Sequence, residues 1–152
     1  MNNFRKARIV CSAMLFSEFL YGVIIFLLNK FSPIQPKPSL ILVKSFYFIS
    51  ALLIICLFVL KKFIFYSKSM LKLSEDKLSM KMSSIFIVLC AISESISILG
   101  VVLYFITGVF QASILLVGVS ILSTLLVFPF NAIVSGYLEE IKRRKELLPP
   151  DY

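Results

Sequence analysis

The sequence predicts an all-α integral membrane protein, a four-helix bundle with both termini in the cytoplasm and its third and fourth spans joined as a tight hairpin. Three observations predict it. Hydrophobic residues make up 59% of the 152 residues and mean hydropathy is +0.97, whereas a soluble domain sits near about 45–50% apolar. Those residues gather into four runs, each able to cross a hydrocarbon core of about 30 Å at roughly 1.5 Å per residue. Lys and Arg then fall almost entirely on one side of the four runs.

Residues 1–8 form a basic N-terminal segment with Arg5, Lys6 and Arg8. The first span, residues 9–29, is too long for the apolar core of a secretory signal and lacks a small-x-small cleavage site. The residues before Cys11 do not make a lipoprotein-type site, so the run is read as a retained span. Residues 30–38 are an extracytoplasmic loop in which Pro33, Pro36 and Pro38 cannot continue a helix and favour an extended link. The second span covers residues 39–60. Residues 61–83 read as a basic cytoplasmic loop centred on KLSEDKLSMKMS, and the third span covers 84–106. Thr107–Gly108 is a turn of minimal length, which makes the third span and the fourth, 109–130, an antiparallel hairpin. Pro129 produces a kink or marks the membrane exit. Residues 131–152 form a cytoplasmic helical tail.

Orientation follows from charge. Three basic residues precede the first span, six lie between the second and third (Lys61, Lys62, Lys68, Lys72, Lys77, Lys81) and four lie in the tail (Lys142, Arg143, Arg144, Lys145). Only Lys30 and Lys37 lie on the other side, so the positive-inside rule puts both ends in the cytoplasm. Topology and attraction to anionic lipid at that face account for the net charge of +8 without any nucleic-acid partner. The tail carries Ile133, Leu138, Ile141 and Leu148 near one stripe, with Glu139/Arg143 and Glu140/Arg144 as i,i+4 pairs in the favourable order. Pro149 and Pro150 end it. Two readings stand for it: a solvated extension of the fourth span, or a docking helix for a cytoplasmic partner.

The composition also excludes chemistries. His and Trp are absent, and Cys11, Cys56 and Cys90 are scattered through apolar runs. Imidazole catalysis, Cys/His metal sites and a disulfide framework are therefore excluded. No nucleotide, metal or prosthetic-group motif is present, a soluble enzyme is ruled out, and no enzymatic activity is expected. The remaining cofactor expectation is a proton or a sodium ion.

That expectation rests on Glu18 and Glu94. A carboxylate near the bilayer midplane costs several kcal/mol, so it is a functional-site hypothesis by default, and a neutral, protonated form is expected at rest. Each Glu lies about ten residues, or roughly 15 Å of rise, into a span that starts on the cytoplasmic side. The two are 76 residues apart, half the chain. Laying the first span on the third at that offset pairs Ile9 with Ile85, Ser17 with Ser93, Glu18 with Glu94 and Leu27 with Leu103, and a two-residue shift pairs Gly22 with Gly100, as a duplicated two-helix hairpin would.

In the third span Ser93, Ser97, Gly100 and Tyr104 form a small or hydroxylated stripe that should face protein, with Gly22 as its small counterpart on the first span. Two readings remain open. In one, Glu94 binds and releases a proton or small cation, Glu18 is a partner or second site, and Ser95 or Ser97 supplies an oxygen. In the other, the glutamates are interhelical hydrogen-bond glue in a structural or assembly subunit. Lys44, six residues inside the second span, is expected to snorkel to the extracytoplasmic interface rather than pair with a Glu roughly 9 Å deeper along the membrane normal. Ser120, Ser123 and Thr124 face the third span or bond back to their own carbonyls.

The run ESISILGVVLYFITG, Glu94 to Gly108, resembles the carboxylate helix of rotary-ATPase proteolipid (c) subunits. There a membrane-embedded Glu is followed six residues later by Gly and an aliphatic stretch, here Glu94, Gly100 and Val101–Leu103. Ser95 resembles the hydroxyl that follows Glu in sodium-binding members, and four spans resemble the duplicated V-type form. The likeness covers about 25 residues of 152. The family's Gly-rich first helix is missing, no Gln lies beside Glu94, and the glutamates sit on the first and third spans. A looser likeness over most of the chain is to uncharacterised four-span bacterial membrane proteins with a Glu-x5-Gly third span, a Thr-Gly turn and a Pro near the end of the fourth. AMLFSEFLYG in the first span is similar to the first helix of small multidrug exporters, which exchange protons on one Glu. These resemblances imply a multi-pass protein of the bacterial inner membrane that is a homo-oligomer, assembled through its first and third spans, or a subunit of a larger complex.

Overall fold

The computed structural model describes residues 2–35, 39–65, 67–71 and 73–146. Pro36, Lys37, Pro38, Lys72, Leu148, Pro149 and Pro150 lie outside the described residues. Among those described, the chain is helical with no strand: α1 (Asn2–Phe31), α2 (Leu40–Phe65), the single turn α3 (Lys68–Leu71), α4 (Glu75–Thr107), α5 (Phe110–Val127) and α6 (Asn131–Glu146). Four helices are long and apolar enough to cross a membrane, over Phe4–Phe31, Leu40–Phe63, Asp76–Thr107 and Phe110–Val127. The chain is therefore a small multi-pass membrane protein.

Local chemistry sets the ends of the helices. Pro33 follows the last turn of α1, where the Ser32 N–H still donates to the Leu28 carbonyl at 2.9 Å. Ser39 caps α2, its hydroxyl accepting from the Leu42 N–H at 3.4 Å. Gly108 closes α4 in the left-handed conformation (φ 65°), and its N–H reaches the Tyr104 carbonyl at 2.8 Å. Thr107 braces the same turn, its hydroxyl donating to the Leu103 carbonyl at 2.7 Å and accepting from the Val109 N–H at 3.2 Å. The expected tight hairpin between α4 and α5 is present.

Helix α1 starts within the expected basic segment 1–8, α2 runs past residue 60 to Phe65, and α3 lies within the expected loop; two further differences shape one end of the bundle. First, α4 is 33 residues long and begins at Glu75, so the second half of the supposed 61–83 loop is helix. Leu78, Met82, Ile85 and Leu89 recur at helical spacing and are all buried, which gives this polar stretch an apolar face to bury. Second, α5 ends at Val127, short of residue 130. Pro129 holds the residue before it in extended backbone (Phe128 φ −58°, ψ 135°), so α6 is a separate helix rather than a continuation of the fourth span. It turns back instead, and Val134 and Ile141 bury in one cluster with Met70 of α3 and Leu78 and Met82 of α4. Of the stripe expected either to be solvated or to dock a partner, Ile141 is buried and Ile133 and Leu138 are partly buried against this cluster.

The bundle is centred on α4, which packs on α5, α1 and α2. Cys11 lies against Phe86 and Ser17 against Glu94, so α1 and α4 run parallel. Ser93 pairs with Ser120 and Gly100 lies against Ser113, so α5 runs antiparallel to α4. α2 rests mainly on the α4–α5 hairpin, through Val43, Phe46, Tyr47, Leu53 and Ile54, and its Leu57 shares a buried cluster with Cys11 of α1. Most of its surface faces outward, with Ile41 79% and Phe63 75% exposed, as suits a helix bordered by lipid. Lys44 is exposed, as a snorkelling side chain requires. At the end where α1 and α4 begin, two basic side chains satisfy carbonyls that the stop of α5 leaves open. Lys61 Nζ donates to the Leu126 carbonyl at 3.2 Å and Arg8 Nε to the Pro129 carbonyl at 2.9 Å.

Candidate functional site

The polar side chains of the spans converge where α1, α4 and α5 meet. Parallel packing of α1 on α4, in a register near the 76-residue separation of the two glutamates, brings both carboxyls to the same level. Glu18 is fully buried, and Thr124 of α5 hydrogen-bonds its Oε1 at 2.6 Å. Its other oxygen has no partner among the described residues. Ser120 of α5 also lies close to this carboxyl, so the group joins α1 to α5 through hydroxyls.

Glu94 is half-buried on α4, and its Oε1 is bonded to the Ser17 hydroxyl of α1. Ser17 Oγ also reaches the Met14 carbonyl at 2.7 Å. A hydroxyl has one proton, whereas the Met14 carbonyl and an ionised Glu94 are both acceptors. With Glu94 protonated both contacts are satisfied: the acid donates to Ser17, and Ser17 donates to Met14. With Glu94 ionised, Ser17 must turn its proton to the carboxylate and release the Met14 carbonyl. The Ser17 hydroxyl thus has two hydrogen-bonding states tied to the protonation of Glu94.

The stripe on α4 lies beside these carboxyls. Ser93, Ser97, Gly100 and Tyr104 are all buried. Ser93 Oγ donates to the Ser120 carbonyl at 2.9 Å and Ser120 Oγ to the Ser93 carbonyl at 2.6 Å, a reciprocal tie between α4 and α5. Gly100 lets the helices approach closely, since a Cβ there would stand 2.8 Å from the Ser113 carbonyl oxygen. Gly22 is looser, with Val117 Cγ1 3.4 Å from the place its Cβ would occupy. The stripe packs against α5 and α1 of the same chain.

Of the hydroxyls expected to assist Glu94, Ser95 turns back onto its own helix, donating to the Ala91 carbonyl at 2.9 Å. Ser97 Oγ and Tyr104 Oη are buried without a hydrogen-bond partner among the described residues. The hydroxyl bonded to Glu94 is Ser17, and Glu18 has Thr124 bonded to it and Ser120 close by. All three lie on neighbouring helices. A signal for the α5 partners was available: counting outward from the Thr107–Gly108 turn sets Ser93 close to the level of Ser120. For Ser17 the signal was only that it precedes Glu18 by one residue.

Among the described residues no group of three or more His, Cys, Asp or Glu side chains could hold a metal ion. Any cation at Glu94 would be bound by one carboxylate and neutral oxygens from Ser17 and Met14. No protein-family model matches the chain, and neither a curated protein nor a solved structure matches it significantly.

Proposed function

We propose that this chain is a non-enzymatic, proteolipid-like subunit of the bacterial inner membrane, in which Glu94 takes up and releases a proton within the bilayer. The observation that carries the reading is the Ser17 hydroxyl, held between the Met14 carbonyl and the Glu94 carboxyl. It gives Glu94 a defined hydrogen-bonding state in each protonation form. Glu94 is also the more accessible of the two acids, since Glu18 is fully buried. An exchanging group must meet its proton source, and a carboxyl on a half-buried helix face meets that need. The charge bias of the loops supports cytoplasmic termini, and the Glu94–Gly100 pattern supports the proteolipid likeness and an oligomeric assembly.

The test is carbodiimide labelling of the protein in native membranes across pH, with and without sodium, mapped by mass spectrometry. Labelling at Glu94 that declines as pH rises, with Glu18 unlabelled, is the expected outcome. Protection by sodium at constant pH would identify the ion as sodium instead of a proton. An unlabelled Glu94 in an intact assembly would refute the proposal.

A second reading is favoured by a different observation. Glu18–Thr124 and Ser93–Ser120 each tie two helices together with no route to solvent, as in a structural or assembly subunit. Glu94→Gln separates the two. It spares assembly and abolishes ion linkage if Glu94 is the carrier, and it weakens assembly if Glu94 is interhelical glue.

A further inference from the structure

At the end of the bundle where α1 and α4 begin, a cavity of about 1000 Å³ lies between the first turns of both helices and α6. Its position along the chain is interfacial. Arg8 immediately precedes the first apolar run, Ser79 precedes the third, and Asn131 follows Pro129 at the end of the fourth. The walls combine two chemistries. Phe4 and Leu138 contribute apolar surface, and Arg5, Arg8 and Lys142 contribute three cations against the two acids Asp76 and Glu139.

Arg8 is the best positioned of the cations. Its Nε donates to the Pro129 carbonyl at 2.9 Å and its Nη2 bonds to Asn131 Oδ1. The guanidinium is thereby held at the cavity wall, and its planar fork has further N–H groups able to bind a phosphate oxygen. A soluble anion would gain nothing from the apolar wall. An uncharged acyl chain would leave the excess positive charge uncompensated. An amphiphile with a phosphodiester head matches both surfaces, at the depth where such heads lie.

We propose that this cavity binds the phosphate head group of an anionic membrane phospholipid, with its acyl chains along Phe4 and Leu138. The assignment is independent of the carboxyl pair in the spans. Its consequence is structural as well as chemical: a lipid seated there joins α1, α4 and α6, three elements that otherwise meet at this end mainly through Arg8 and the cluster under α6.

The full-length chain, extracted from bilayers of equal phosphatidylglycerol and phosphatidylcholine, is examined by native mass spectrometry for retained lipid. The expected result is retention of phosphatidylglycerol over phosphatidylcholine. Arg5→Gln combined with Lys142→Gln should reduce that preference about twenty-five-fold, taking roughly fivefold for each interfacial charge. Lys62→Gln, exposed at the end of α2, should leave it unchanged. Equal retention of the two lipids, or a loss as large with Lys62→Gln as with the double variant, would overturn the proposal in favour of diffuse surface charge. Displacement of the lipid by millimolar glycerol phosphate would overturn it in favour of a soluble anion. Should the double variant fail to fold, Arg5→Gln alone, at an exposed position, carries the same test with about a fivefold loss expected.

Discussion

Gly100→Ala tests the geometry on which the intramembrane site depends. The added Cβ would lie 2.8 Å from the Ser113 carbonyl oxygen, 3.2 Å from Leu116 Cβ and 3.2 Å from Val117 Cγ2. Two of these are the backbone and first side-chain carbon of α5, so no flexible group can swing away. Restoring an ordinary contact of 3.4 Å needs a displacement of about 0.6 Å at the closest point. Overpacking of this kind costs about 1–3 kcal/mol, which exceeds the roughly 1 kcal/mol that Ala gains over Gly in helix propensity. If α4 and α5 part as rigid bodies, the reciprocal Ser93–Ser120 bonds at 2.9 and 2.6 Å lengthen with them, so the perturbation reaches the level of the glutamates. The assay is thermal unfolding in detergent, followed by thiol labelling of Cys11 and Cys90, both of which are buried. The control is Gly118→Ala, where a Cβ meets nothing within 4 Å. Gly100→Ala should expose the thiols at a lower temperature than wild type, and Gly118→Ala should not. Equal behaviour of the two variants would refute the close approach of α4 and α5.

Three further outcomes are expected. Glu18→Gln keeps an oxygen for Thr124 and should change stability by less than about 1 kcal/mol, whereas Glu18→Leu removes Thr124's partner and should cost about 1–3 kcal/mol in the same thiol-exposure melt. Ser93→Ala and Ser120→Ala should each cost about 0.6 kcal/mol, the usual size of an interhelical bond in a membrane protein, and a double-mutant cycle should show coupling because the two bonds share one helix contact. Arg8→Gln removes the bonds to Pro129 and Asn131 and should speed limited proteolysis within residues 128–131, while leaving the Glu94 labelling profile unchanged.

The four spans and the Thr107–Gly108 hairpin were legible from the sequence because apolar run length and turn residues are local properties. The stripe Ser93–Ser97–Gly100–Tyr104 was legible for the same reason, since helical spacing alone places those residues on one face. The early start of α4 was not. Leu78, Met82 and Ile85 carry the right period, but their face is buried in a cluster with Cys11 of α1, Leu57 of α2 and Val134 and Ile141 of α6, most of it distant in the chain, and the intervening Lys, Glu and Asp disguise it. The fate of α6 likewise depended on a distant surface, because an amphipathic stripe states that something covers it without stating what.

Hydropathy alone thus determined that this chain has four membrane-spanning helices, and the spacing of Glu18 and Glu94 determined that both acids lie at one depth. Only the tertiary structure decided that Thr124 serves Glu18, that Ser17 serves Glu94, and that α4 is the helix on which α1, α2 and α5 all pack. In lipid, the buried and exposed faces of a helix are both apolar, so amphipathicity cannot announce which neighbour a face meets. Partner choice follows from helix register and close approach, and these exist only once α1, α4 and α5 have packed.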